Sequence, residues 1–321
     1  MSRGPERSPW FEIFLSGVNA PFGSTRDDLD GYRGIGALSR LTGAERTEAE
    51  DILIGKLAGD DGRAATALAE AGCVRAVPAL VERAADSRSP TMRVFAARAL
   101  LRLGDHSGRA AVAALLRTRA GGPSDRSSAV RLLAEFPDPD KNLMLHTALT
   151  DPDRIVRNEA ITALLTAHGL GGDETRSGEV LRGIGGRMLS SLASVRDEAL
   201  AELRTVLARW EAGETAEQLG LTWHADRQAE PLKSFIISLD SEEPEWARDY
   251  ALDGVAELTG RERALVENLV LLRLDLDRRA VRAAARLGVG RAVEPLRELL
   301  RSAAPDTEAD VLTALRDLTQ D

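Results

Sequence analysis

The sequence predicts an all-α chain built from stacked pairs of helices. Two observations support this fold class. Hydrophobic residues make up 43% of the chain but aromatic residues only 4%, so the core must consist mainly of Ala, Leu and Val, and Ala and Leu are strong helix formers. A helical pattern also recurs at a spacing of about 31 residues, the length of a two-helix unit. One such unit cannot bury its own apolar face, so neighbouring units are expected to stack.

The clearest copy of this pattern is "MRVFAARALLRLGD", residues 92–105. An Arg is followed by small or apolar residues 3, 4, 6, 7 and 10 positions later, and then by Gly. That spacing places the apolar residues on one helix face and ends the helix at the glycine. Copies of the pattern, some with the Arg replaced, begin at Gly31, Asp61, Arg93, Arg126, Arg157, Arg196, Arg248 and Asp277.

A second repetition joins distant parts of the chain. "LTGAER" (41–46) returns as "LTGRER" (258–263), and "AGCVRAVPALVERA" (71–84) matches "LGVGRAVEPLRELL" (287–300). Thr and Glu stand three residues apart in both short words, the spacing of a capping box at a helix N-terminus. The sequence therefore predicts that Thr42 with Glu45, and Thr259 with Glu262, begin equivalent helices in two copies of one unit.

The words "VRNEAITALL", "AARALLRLGD" and "GRAVEPLRELL" resemble HEAT repeats, most closely the short HEAT-like repeats of the phycobilisome-lyase type. The resemblance covers roughly residues 30–208 and 246–318. It implies a right-handed α-solenoid, an armadillo-type superhelix, of about eight helical hairpins. In that family the first helix of each hairpin lines the convex side and the second lines the concave side.

The pattern divides the chain into segments. Residues 1–29 lack the repeat and hold Trp10, Phe11, Phe14 and Phe22, which favours an N-terminal cap over the first repeat, with a docking segment as the alternative. Residues 209–247 form an irregular insertion with Trp210, Trp223, His224 and Trp246, whose rings either pack between helices or mark a binding side. The resulting organisation is a cap at 1–29, HEAT-like repeats at 30–208, the insertion at 209–247, and repeats with a C-terminal cap at 248–321.

Composition narrows the classes of partner. The net charge is −9 and the pI about 5.2, which argues against broad binding of nucleic acid or anionic membrane. The chain holds no apolar run long enough to span a membrane, and its beginning does not resemble a secretory signal. Cys73 is the only cysteine, which agrees with a reducing cytoplasm.

No motif in the sequence indicates catalysis. The four histidines stand apart from one another, and the chain has neither a nucleophile elbow nor a phosphate loop. The His-Glu dipeptide of the HEAT-like di-iron hydroxylases is absent, and the acidic pI argues against the cationic groove of the HEAT-like DNA glycosylases. We therefore expect no catalytic residue, no cofactor and no metal.

Charge is distributed unevenly along the chain. Residues 70–190 hold 17 Lys and Arg against 14 Asp and Glu, whereas residues 191–321 hold 17 against 26. Arginines on the second helices are expected to lie opposite the apolar stripe and to form a cationic patch, although local pairing with acids is a competing explanation. The predicted partner-binding residues are Arg75, Arg83, Arg109, Arg117, Arg182, Trp210 and Trp223.

The sequence thus favours a non-enzymatic, cytoplasmic protein-binding scaffold. An adaptor, a regulator or an immunity-type neutralising partner would bind an acidic protein surface along the concave groove. The alternative is an enzyme of the HEAT-like class, either a DNA-repair glycosylase or a lyase, with its site near residues 209–247.

Overall fold

The computed structural model describes residues 7–19, 35–137, 141–170, 178–215, 217–219, 229–239 and 249–319. Every regular element within these ranges is a helix, which confirms the all-α prediction. None of the helices found in these ranges is both long and apolar enough to cross a membrane. The chain divides into two compact units, Met1–Leu164 and Leu165–Asp321.

The first unit stacks its helices in sequence order. Helices two apart pack against each other, namely α2 with α4, α3 with α5, α5 with α7 and α6 with α8, as expected for hairpins that each contact only their neighbours. The helices are α1 (Pro9–Asn19), α2 (Gly43–Leu57), α3 (Gly62–Glu70), α4 (Val77–Asp86), α5 (Pro90–Arg102), α6 (Arg109–Thr118), α7 (Pro123–Glu135), α8 (Lys141–Ala148) and α9 (Arg154–Ala167), within which the division into units falls.

The second unit does not follow simple sequence order. Helix α10 packs against α11 and α13, and α11 also packs against α15, so contacts skip over the intervening helices. Its helices are α10 (Gly178–Met188), α11 (Ala193–Glu211), α12 (Glu230–Leu239), α13 (Gly260–Arg273), α14 (Arg278–Arg286), α15 (Val293–Leu300) and α16 (Pro305–Leu318).

The arginine that opens the repeated pattern joins each first helix to the turn before it. Its guanidinium donates to a backbone carbonyl five or six residues earlier, one to three residues after the end of the preceding helix. The pairs are Arg93 with Ser87, Arg126 with Gly121, Arg157 with Asp151 and Arg196 with Ser190, at 2.6 to 2.9 Å. The recurrence of Arg in the sequence therefore has a structural cause in these copies.

Residues 7–102 and 229–318 contain the same succession of elements, and we call them the N-terminal and C-terminal modules. Helices α1 to α5 correspond to α12 to α16, and a 3₁₀ turn precedes α2, α4, α13 and α15 at the equivalent places. Gly43 and Gly260 begin α2 and α13 with φ of 53° and 55°. This left-handed conformation favours glycine, which explains why both short sequence words contain it at this position.

Side-chain contacts repeat as well. Arg46 donates through Nε to Glu50 at 2.6 Å and through Nη2 to the carbonyl of Ala71 at 2.7 Å, which ties α2 to the end of α3. The C-terminal module repeats both contacts, with Arg263 donating to Glu267 and to the carbonyl of Leu287. The two similar stretches of sequence thus encode the same structure twice, as the sequence predicts.

The predicted capping boxes are wrong. Thr42 and Thr259 occupy the N-cap positions of α2 and α13, but neither hydroxyl makes a capping hydrogen bond. The two glutamates instead accept hydrogen bonds from the backbone N–H that precedes another helix. Glu45 accepts from Ser8 at 2.7 Å, just before α1, and Glu262 accepts from Ala229 at 2.8 Å, just before α12.

Helices α1 and α12 bury equivalent faces. Phe11, Phe14 and Val18 are buried on α1, and residues with the same spacing are buried on α12. Those residues are Leu232, Phe235 and Leu239. The described helix within residues 209–247 is therefore the counterpart of α1. Trp10 stays 47% exposed, and Phe22 lies outside the described residues.

Candidate functional site

Exposed large apolar side chains lie on or just before two second helices of the first unit, α4 and α8. Among the described residues of helices α2 to α9 and their turns, the large apolar side chains that are exposed are Val74 (70%), Val81 (37%), Leu143 (75%) and Ile155 (54%). Val74 lies in the 3₁₀ turn leading into α4, Val81 on α4 and Leu143 on α8. The first helices α3, α5 and α7 expose none of this size, whereas the first helix α9 exposes Ile155 near its beginning.

Arg75, a predicted partner-binding residue, is exposed but engaged. Its Nη2 donates to Asp51 at 2.8 Å and its Nη1 to Glu50 at 3.3 Å. The hydrogen bond to Asp51, followed by the charge of that carboxylate, raises the pKa of the Arg75 guanidinium above its usual value. Local pairing, the competing explanation at the sequence level, therefore holds for this residue.

The remaining predicted arginines of α4 and α6 differ from one another. Arg83 forms an ion pair with its neighbour Glu82. Arg109 is half-buried, and the buried Val112, Ala113 and Leu116 lie within about 60° of it around α6. The prediction that it lies opposite the apolar stripe is therefore wrong. Arg117 is exposed and forms no ion pair with any carboxylate among the described residues.

Of the other predicted partner-binding residues, only Trp210 lies wholly within the described part of the chain. The side chain of Arg182 and all of Trp223 fall outside the described residues. Trp210 lies in the last turns of α11, where its Nε1 donates to the carbonyl of His168 at 2.9 Å. Trp210 therefore has a packing role at the end of α9.

Two buried groups show how polar side chains are satisfied within the modules. Cys73 is buried, and this burial raises the pKa of its thiol, which the adjacent Glu50 raises further. A raised pKa disfavours the reactive thiolate. Tyr250 donates to Asp277 at 2.7 Å, and Arg279 contacts the same carboxylate at 2.8 Å. Within the described ranges, no three His, Cys, Asp or Glu side chains are grouped as a metal site.

An arrangement that sequence reasoning missed lies between α11 and α15. Glu298 on α15 accepts hydrogen bonds from the backbone N–H groups of Ala193 and Ser194 at 2.7 and 3.0 Å. Arg291, in the turn before α15, forms an ion pair with Glu198 in the second turn of α11. The beginning of α11 is thus held by an acid and a base seven residues apart, across 93 to 105 residues of sequence.

The pKa of Glu298 agrees with its position at the N-terminus of α11. Burial of Glu298 opposes ionisation, but the hydrogen bonds from Ala193 and Ser194 outweigh it and hold the pKa of Glu298 below its usual value. A carboxylate at a helix N-terminus is also favoured by the helix dipole. The matched stretches at 71–84 and 287–300 both contain the Arg and the Glu, so the pair could have been recognised from the sequence. The helix that the pair contacts could not.

No protein-family model, curated protein or solved structure matches the chain. The resemblance to HEAT repeats therefore rests on the sequence words quoted above and remains a prediction.

Proposed function

We propose that the chain is a non-enzymatic protein-binding scaffold, a right-handed α-solenoid of HEAT-like repeats, that binds a partner protein along the face formed by its second helices. The observation that carries the proposal is the exposure of Val74, Val81 and Leu143 on those helices. Contiguous exposed apolar surface is typical of interaction sites, and Val74 and Val81 are neighbours in this sense because they stand seven residues apart beside and on α4. The lone, buried Cys73 is compatible with a role in the cytoplasm.

The charge on α6 suggests the character of the partner. The helix carries Arg109 and Arg117 and no carboxylate. Arg117 is exposed without an ion pair in the described part of the chain, so an acidic group of a partner would not have to displace an internal one. An adaptor, a regulator or an immunity-type neutralising protein would each use such a surface.

Site-specific cross-linking in the native host tests the proposal. A photoreactive benzoyl-phenylalanine replaces Val81 or Arg117 in the full chain, and Glu70, exposed at the end of the first helix α3, serves as the matched control. We expect positions 81 and 117 to capture the same protein and position 70 not to capture it. The purified partner should then bind the chain in solution, and Arg117→Glu should weaken that binding.

Two results would overturn the proposal. One is equal capture from all three positions, which would indicate nonspecific contact. The other is a captured protein whose binding in solution is unchanged by substitutions at both Val81 and Arg117.

A further inference from the structure

The C-terminal module shows how this fold holds a helix N-terminus. Glu298 accepts the first N–H groups of α11, from Ala193 and Ser194, and the hydroxyl of Ser194 also donates to it at 2.9 Å. Arg291 pairs with Glu198, four residues after Ser194. Leu192 and Val195, at the start of α11, are buried in the apolar core of the C-terminal module.

The N-terminal module carries the same two charged residues. The matched words place Arg75 where the C-terminal module has Arg291 and Glu82 where it has Glu298. The backbone agrees, because Cys73 and Val289 precede the two 3₁₀ turns with φ, ψ of −76°, 86° and −77°, 83°. Arg75 lies in the 3₁₀ turn before α4 and Glu82 lies on α4. They are seven residues apart, which places them near the same face and about 10 Å apart along the helix.

No helix covers this pair in the N-terminal module as far as it is described. The side chain of Glu82 is 61% exposed and that of Arg75 53% exposed. Beside them on α4 lie Val81 and, in the preceding turn, Val74, whose equivalents in the C-terminal module are Arg297 and Gly290. Because the C-terminal module folds with Arg and Gly there, the apolar residues of α4 are not required by the fold.

We propose that α4 binds the N-terminus of a partner helix in the way that α15 binds α11. Glu82 accepts the N–H groups of the partner's first turn, and Arg75 pairs with a carboxylate in its second turn. Val74 and Val81 contact apolar residues at the beginning of the partner helix. The inference rests on the proposed protein-binding function and specifies the chemistry of the partner: a helix N-terminus followed by an acidic residue four positions later.

Three differences between the modules affect the expected affinity. Arg83 forms an ion pair with Glu82, whereas Leu299 stands at the equivalent position of the C-terminal module, so the partner's N–H groups must compete with Arg83. Arg75 already donates a hydrogen bond to the carboxylate of Asp51, whereas Arg291 donates to the neutral amide of Asn268 at the equivalent position. The incoming carboxylate must therefore compete with Asp51. In addition, Asp275 accepts a hydrogen bond from the N–H of Ser191 before α11, while Gly59 stands at its equivalent position in the N-terminal module. We expect binding by α4 to be weaker than the intramolecular contact of α15.

The probe is a synthetic peptide with the sequence of residues 190–207, made helical by a staple through the exposed positions 201 and 205. Its binding to the full-length chain is measured by fluorescence anisotropy at low salt. We expect a dissociation constant below about 1 mM. Glu82→Lys should abolish binding, and Arg75→Gln should weaken it about tenfold, the effect of losing a hydrogen bond to a charged group.

Two further variants of the chain, one activating substitution and one control, test the proposed contact more closely. Asp51→Asn, which installs the residue of the C-terminal module, should tighten binding about threefold because it removes an exposed competing ion pair. Glu294→Gln, an exposed acid on α15, is the matched control and should change nothing. A peptide with Glu198→Gln should bind weakly to the wild-type chain and be insensitive to Arg75→Gln.

Absence of peptide binding to both the wild-type chain and Asp51→Asn would overturn the inference, as would binding that is indifferent to Glu82→Lys. Circular dichroism of each variant excludes loss of folding as the cause. The proposed function has a separate outcome: if position 81 still cross-links a partner while the peptide fails to bind, protein binding stands and the helix-terminus inference falls.

Discussion

The carboxylate of Glu45 accepts a hydrogen bond from the backbone N–H of Ser8 at 2.7 Å, across 37 residues of sequence. The hydroxyl of Ser8 donates to the same carboxylate at 2.6 Å, and these bonds hold the pKa of Glu45 below its usual value. The equivalent Glu262 accepts from Ala229 before α12. Acidic residues on one helix therefore hold the beginning of another in both modules.

We predict that Glu45→Gln and Glu262→Gln selectively loosen α1 and α12. Each substitution removes the charge that favours a helix N-terminus. Hydrogen exchange should accelerate in residues 9–19 for the first variant and in residues 230–239 for the second, with α5 and α16 unaffected. Glu70→Gln, at an exposed position, is the control. Uniform acceleration across the chain would contradict a local capping role.

The contact of Glu298 with α11 should make stability depend on pH. A carboxylate whose pKa is lowered by folding contributes stability above its unfolded pKa, near 4.5, and loses that contribution as the pH falls through its folded pKa. The difference in Tm between the wild type and Glu298→Gln should therefore be constant from pH 7 to about pH 5 and shrink in more acidic buffer. A difference that grows on acidification would contradict the assignment.

The ion pair of Arg126 and Asp151 is buried, with two hydrogen bonds at 2.8 and 3.0 Å. Removing one partner leaves a buried charge without compensation, so Asp151→Leu alone should cost about 3–5 kcal/mol of unfolding free energy. Arg126→Met combined with Asp151→Leu should recover part of that loss, because neither charge then remains. Chemical denaturation of the wild type and the two variants measures this, and a double variant no more stable than Asp151→Leu would refute it.

Ala160→Asp should destabilise the chain far more than Asp153→Ala. Ala160 is fully buried on α9, so a carboxylate there is desolvated and costs about 2–5 kcal/mol. Asp153 accepts from the N–H of Ile155 at 2.8 Å at the beginning of α9, and its loss should cost about 1 kcal/mol. Thermal melts of the two variants give the comparison, and equal Tm values would show that α9 is placed incorrectly.

Charge-reversing substitutions should distinguish how much each predicted arginine contributes to partner binding. Arg117→Glu alone should cause most of the loss of partner binding seen when Arg75, Arg109 and Arg117 are all replaced with Glu. The reason is that Arg75 is already paired with Asp51 and Arg109 is half-buried. Binding of the cross-linked partner should also weaken as salt increases. If Trp223→Ala abolishes binding while Arg117→Glu does not, an aromatic anchor in the segment 209–247 replaces the cationic face.

Sequence periodicity was sufficient to predict helices and their repetition. The small and apolar residues after Arg93 and Arg126 are buried, and helices begin near both residues. Periodicity could not predict whether an exposed Arg is paired, because Asp51 is 24 residues from Arg75. Arg75 is therefore an exposed arginine that is already paired with Asp51 and Glu50, and its part in a cationic patch stays a prediction.

The sequence by itself determined the helical class and the equivalence of the words at 41–46 and 258–263, because helix periodicity, glycine at positive φ and cap positions are local properties. Only the tertiary structure decided what the acidic residues bind. Glu45 stands three residues after Thr42, which fits a local capping box, yet its carboxylate contacts Ser8. Glu298 contacts the start of α11 across 104 to 105 residues. A carboxylate can satisfy a nearby or a distant N–H equally well, so the choice depends on which helix the packed fold brings within hydrogen-bonding distance.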